Sequence, residues 1–288
     1  MPSTPRASSA ALCILRRLPY MGAIMAQLTD RSALGRHRAR ASALFLREAV
    51  ADEVQDRLAE VNRRFTAPAV VTPFPEVWQG RLPGARIVPD AEVLDLPEGA
   101  QDLVIHDLCL HWADDPVGQL VQCARALQPD GLLVATLFGG LTLAELRGAL
   151  AEAEVEATGG LSPRVAPMGE IRDLGNLLGR AGLALPVADA APFDVSYSDA
   201  LALMRDLRAM GEANALAGRL RRFTRRAVLL GAMARYPVND EGRAVAHFEV
   251  VTLTGWKPAP SQPKALRPGS AVRSLADALD EARRERGD

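Results

Sequence analysis

Two unbroken apolar runs constrain the fold of this chain more than any other feature. QDLVIHDLCLHW, from Gln101 to Trp112, and DGLLVATLFGG, from Asp130 to Gly140, carry apolar residues at successive positions (LVI and LLVA) rather than alternating ones, and PVGQLVQCARAL between them has helical spacing from Pro116. A strand that is apolar at successive positions is covered on both faces, and a parallel sheet flanked by helices provides that cover. The pattern predicts an α/β fold with a doubly wound, Rossmann-like sheet. At 288 residues and 48% hydrophobic, the chain is long enough to bury such a core.

The flanking segments fit the same architecture. Leu46, Val50, Val54, Leu58 and Val61 share one face, so Ala39 to Val61 reads as an amphipathic helix. AVV at 69–71 and ARIV at 85–88 are short strand candidates on either side of FPEVWQGRL, a candidate turn of helix. Thr142 and Glu145 have the T-x-x-E spacing of a capping box for a helix running to about Glu156. Ile171, Leu174, Leu177, Leu178 and Ala181 line one side of a helix that stops at Gly182. LALPVADAAPFDVSY reads as a strand, two helical patterns follow, and HFEVVTLTGWKP closes the sheet. The expected division is an extension at 1–27, a domain at 28–257 with a helical insertion at about 198–236, and a tail at 258–288. The extension has no acid and carries Arg6, Arg16 and Arg17 among Ser and Ala, which suits a transit peptide or a disordered leader.

Charge and cysteine content exclude several classes of function. A formal net charge of -1 gives no pull toward nucleic acid. Cys13, Cys109 and Cys123 are odd in number and form no C-x-x-C pair, which argues against a disulfide framework and for a reducing compartment. No apolar run reaches the ~20 residues of a membrane span, so membrane association is expected to be peripheral at most. RLRRFTRR, from Arg219 to Arg226, reads as a helix carrying five arginines, either a solvated face or a surface for an acidic protein or an anionic membrane.

The apolar strand QDLVIHDLCLHW, its helix and LQPDGLLVATLFG resemble the fourth and fifth strands of class I S-adenosylmethionine-dependent methyltransferases, and HFEVVTLTGW suits their final antiparallel strand. FGGLTLAELRGALAEAE, GGLSPRVAPMGEIRDLGNLLGRAG, LMRDLRAMGEANAL and SQPKALRPGSA together resemble the arginine-hydroxylating assembly factor family of respiratory complex I. The resemblance runs from about Leu28 to Ala271. It implies S-adenosylmethionine as the family cofactor and a protein client, a peripheral-arm subunit of NADH-quinone oxidoreductase. It also implies work in a bacterial cytoplasm at the inner face of the membrane, or in the mitochondrial matrix.

The chain departs from that family where the cofactor would bind. The glycine-rich turn after strand one, which lets backbone approach the cofactor, is replaced by VVTPFPEVW, with prolines that fix φ and remove donors. The interval from Val70 to Asp102 is little longer than one βαβ unit of ~30 residues. One strand and helix are missing, and with them the acid that would hold the ribose. Weak or no cofactor binding is expected, with Asp90, Ala91, His106 and Asp107 as the residues left to contribute. His111, Trp112 and Asp114 belong to the same mouth of the sheet, but no H-x-D spacing supports a metal. The family resemblance marks Gly139, Gly140, Glu145, Arg164, Met210, Gly211, Glu212 and Asn214 as candidates for client contact, and the charge of the arginine run adds Arg222. No catalytic residue is identified. A small-molecule or carrier-protein methyltransferase and a cofactor-free binding scaffold are the alternative readings.

Overall fold

The computed structural model describes residues 27–262 together with Ser274, Ala276, Asp277, Glu281 and Arg284. Most of the expected extension and tail, with Cys13, lie outside the described residues. The two apolar runs form the centre of a six-stranded sheet, in which β1 (Pro68–Val71), β2 (Arg86–Val88), β3 (Gln101–His106) and β4 (Leu127–Gly139) run parallel. β5 (Ala184–Tyr197) and β6 (Ala244–Trp256) complete it in the order β2-β1-β3-β4-β6-β5, with β6 antiparallel to both of its neighbours. Every residue of β1 and β3 is buried, as continuous apolar strands require.

Period-two alternation sends these strands' side chains to two separate cores. Val70, Leu103, Ile105 and Val134 pack with Ala51 and Val54 of α2 (Phe45–Glu60) and with Trp78 of α3 (Pro75–Trp78). Ala69, Val71, Val104 and Leu133 face the other way, onto Leu120 and Cys123 of α4 (Pro116–Ala126) and Leu174 and Leu178 of α6 (Ile171–Arg180). A third core joins α5 (Ala144–Thr158), α7 (Ala200–Ala209) and α8 (Arg226–Arg235) to Phe138 and Phe248.

The shortened interval is plain in the fold. One turn of helix and a three-residue strand are all that separate β1 from the loop before β3, and β2 pairs directly with β1. The doubly wound order is otherwise kept.

Three local expectations are corrected. The N-terminal helix starts at Phe45 rather than Ala39, and a separate α1 (Arg31–Arg38) precedes it, capped by Asp30 accepting from Ala33 N–H. Thr142 and Glu145 do not form a capping box: α5 is capped at Leu143, φ 54°, with no side-chain cap, while the Thr142 hydroxyl donates to the carbonyl of Gly139 at 2.8 Å. Here the antiparallel pairing with β6 wins over the local motif, because Thr142 Oγ1 also accepts from Glu249 N–H at 2.9 Å. The run from Arg219 is not helical until Arg226.

Candidate functional site

In an open α/β sheet, ligands sit outside the carboxyl ends of the parallel strands, and here that crevice is filled by the protein's own side chains. The turn after β1 offers no free backbone donor from Thr72 to Pro75. Thr72 N–H donates to the carbonyl of Val88 at 2.9 Å, Phe74 N–H donates to Thr72 Oγ1 at 3.1 Å, and Pro73 and Pro75 have no N–H. The Thr72 hydroxyl in turn donates to Asp107 Oδ2 at 2.8 Å. Above Phe74 lies the guanidinium of Arg47, 4.6 Å from the ring centroid. The residues present do not fit the methionine end of S-adenosylmethionine.

Arg47 reaches this place because it lies on the buried stripe of α2, between Leu46 and Val50. Its side chain is 3% exposed, donates to Glu212 Oε1 at 2.6 Å and lies 3.8 Å from Asp107 Oδ2. Burial pushes the Asp107 carboxyl up, against Arg47 and Thr72. Glu212 behaves oppositely. Burial works against its charge, yet His111 and Arg47 hold its carboxyl well below the ordinary range. Across the crevice Arg38 donates to Asp90 Oδ2 at 2.7 Å, and Arg31 also donates to Asp90, so the acid nearest the expected adenine position is bound to α1.

Glu212 links the crevice to a second space. Trp112 Nε1 donates to its Oε2 at 2.7 Å, and His111 Nε2 lies 3.4 Å from the same oxygen. Burial pushes the His111 pKa down, although Glu212 favours its charged form. Beyond this pair opens a cavity of about 250 Å³ between Phe138, Leu146, Met204, Phe248 and the turn at Arg164. Gly211 makes the approach of α1 possible. It has φ +79°, and a Cβ there would lie 3.1 Å from the Cα of Arg38.

The structure brings part of the expected set together. Arg164, Glu212 and Asn214 line the cavity, and Met210 is buried in the adjoining core. Arg164 donates to both oxygens of Glu154, at 2.9 and 2.8 Å, and Asn214 donates to the carbonyl of Pro163 at 2.9 Å. Gly139 and Gly140 sit at the end of β4, where a Cβ would meet Val251 at 2.6 Å and Glu249 at 2.2 Å. Glu145 faces His247, 3.7 Å away, and Arg222 is exposed on the loop before α8. The carbonyl of Ala91 accepts from Gln119 Nε2 at 2.8 Å. His106 is buried between Gln119 and Cys109, and burial pushes its pKa down to about 4. Among the described residues no group of three His, Cys, Asp or Glu is placed to hold a metal ion.

Sequence reasoning missed Arg38 and Arg47. A signal for Arg47 was present, since a charged residue on an otherwise apolar helical stripe must find a buried partner. Arg38 had none, because α1 was not recognised.

A family model described as a methyltransferase domain matches residues 50–135. The mitochondrial arginine-hydroxylase NDUFAF5 of Danio rerio is 39% identical over 199 residues, covering 68% of this chain and 62% of that protein. The malonyl-(acyl-carrier protein) O-methyltransferase of Xylella fastidiosa is 33% identical over 195 residues, covering 67% of this chain and 64% of that protein. Among solved structures, the YcgJ protein of Bacillus subtilis aligns over 73% of this chain and 99% of its own, with TM-score 0.46 and 10% identity. The chain thus spans somewhat less than two thirds of the length of the curated relatives it matches. Sheet order, family model and relatives agree on a class I methyltransferase-like chain, and its sequence is similar to the NDUFAF5 arginine hydroxylases over about two thirds of its length.

Proposed function

We propose that this chain acts on a protein client, a peripheral-arm subunit of NADH-quinone oxidoreductase, as an assembly factor of the arginine-hydroxylase type. The observation that carries the reading is the 39% identity to the Danio rerio arginine hydroxylase, which extends over 68% of this chain. The insertion containing Met210, Gly211, Glu212 and Asn214, with the turn at Arg164, forms the surface to which the client is assigned. Buried, unpaired Cys109 and Cys123 suit a reducing compartment, either a bacterial cytoplasm at the inner face of the membrane or the mitochondrial matrix. Among the described residues no helix is long and apolar enough to cross a membrane. Deleting the gene is expected to lower assembled complex I on native gels of membranes, and to remove an added oxygen from a client arginine by mass spectrometry. Normal complex I with an unchanged client overturns the reading.

A second reading concerns the cofactor and rests on the turn from Thr72 to Pro75. We infer that S-adenosylmethionine is not held in this crevice, because no backbone donor of the turn is free, and Arg38 and Arg47 occupy the space beside Asp90 and Asp107. The chain's own residues then bind and orient the client, and the crevice serves as an internal brace. Calorimetry with the full chain is expected to give no saturable binding of S-adenosylmethionine at micromolar concentration. Saturable binding would restore the carrier-protein or small-molecule methyltransferase reading.

A further inference from the structure

We propose that the cavity beside Trp112 is a binding site for a small aromatic carboxylate, with the ring inside and the carboxylate on Arg208. Size and lining lead to the ring. The cavity holds about 250 Å³, whereas an apolar cavity of roughly 150 Å³ already takes benzene. Its walls include a run of tilted rings, His111 to Trp112 at 5.6 Å, His111 to Phe138 at 4.9 Å and Phe138 to Phe248 at 5.7 Å between centroids. Such rings present edges and faces that a further aromatic ring meets at favourable angles. Met168 and Met204 also line the cavity, and their thioethers adapt to the outline of a flat ligand and contact it favourably.

Charge leads to the carboxylate. Glu212 is the acid among the lining residues, and both of its oxygens are engaged, Oε1 by Arg47 at 2.6 Å and Oε2 by Trp112 at 2.7 Å. Arg164 is neutralised by Glu154. Arg208 remains, exposed on the last turn of α7 and lining the cavity, and among the described residues no carboxylate forms an ion pair with it. A guanidinium with its fork free is built to take a carboxylate through two parallel bonds. The cavity thus has a largely apolar, partly aromatic lining and one unmatched positive charge at its edge. Arg164, Glu212 and Asn214 belong both to this cavity and to the client surface proposed above, but the assignment rests on the lining alone and not on whether the chain modifies a client protein.

The test is calorimetric titration of the full chain with 2-naphthoate, 2-naphthamide, octanoate and propylguanidine. Naphthoate is expected to bind saturably and about tenfold or more tighter than the neutral amide, the factor a charge-assisted hydrogen bond supplies. In Arg208→Gln that preference is expected to vanish while the melting temperature stays put, because the side chain is exposed. Met204→Trp, which fills the cavity, is expected to abolish binding of both. Failure of naphthoate to bind overturns the proposal, as does equal binding to the parent chain and the Arg208 variant. Octanoate binding more tightly than naphthoate overturns the aromatic assignment. Preferential binding of propylguanidine overturns the proposal too, and would make the cavity the seat of a client arginine.

Discussion

Glu154 is an acid buried to 2% exposure on the apolar side of α5, and it stays charged because four donors surround one carboxylate. Arg164 donates through Nε and Nη2, while Ser162 donates through its N–H at 3.1 Å and its hydroxyl at 2.8 Å. Arg164, opposed by burial and helped by Ser162, brings the Glu154 pKa down to about 2. The folded value lies below the unfolded one of ~4.3, so the stabilisation is fully present above that range and is lost as pH falls through about 2. Glu154→Gln is expected to cost on the order of 3 kcal/mol at pH ~7. The gap between parent and variant should narrow steadily below pH ~4. Urea titrations across that range measure it, and a gap independent of pH would show that packing rather than charge is lost. Sequence alone marks Arg164 as a candidate for client contact and does not reveal Glu154 as its partner, because the two are ten residues apart across a turn. An acid at a core position announces itself only once the helix face is fixed.

The arginine run shows how an element can defeat a local reading. Five arginines in RLRRFTRR would place like charges three and four apart on a helix, which is destabilising. The chain instead crosses between α7 and α8 as a loop held to α1. Thr29 bridges to Leu216, Ala217 N–H donates to the carbonyl of Leu28 at 2.8 Å, and Arg219 donates to Asp30 at 2.8 Å. The same Asp30 caps α1, and its pKa is brought down to about 2 by the Ala33 N–H and Arg219. The five arginines are therefore not equivalent. Arg219→Glu is expected to destabilise the chain and to speed hydrogen exchange across 28–38, since it puts a second acid beside Asp30. Arg222→Glu, on an exposed position, should change stability by less than ~0.5 kcal/mol. If Arg222 contacts the client, the second variant should slow association and make it less salt-sensitive. Equal effects of the two substitutions on exchange would refute the distinction.

At the scale of the whole molecule, the short β1-to-β3 connection is braced from the N-terminal side. Arg31 and Arg38 from α1 pair with Asp90 and Arg47 from α2 pairs with Glu212, while Asp30 at the start of α1 is fastened to the loop after α7 by Arg219. Restoring glycine at the turn should not restore a cofactor site. A Pro73→Gly and Pro75→Gly double variant is expected to remain unable to bind S-adenosylmethionine by calorimetry and to lose ~1 kcal/mol or more of stability, because glycine widens the unfolded ensemble. Binding by that variant would show that the turn alone closes the site. The sequence by itself determined the sheet, because unbroken apolar strands and amphipathic helices are local patterns with one economical arrangement. It determined the truncation as well, because chain length between strands bounds what can fit. Only the tertiary structure decided what fills the gap. The ion pairs Arg47–Glu212 and Arg38–Asp90 join residues far apart in the chain, and a buried charge declares only that it has a partner, not which one.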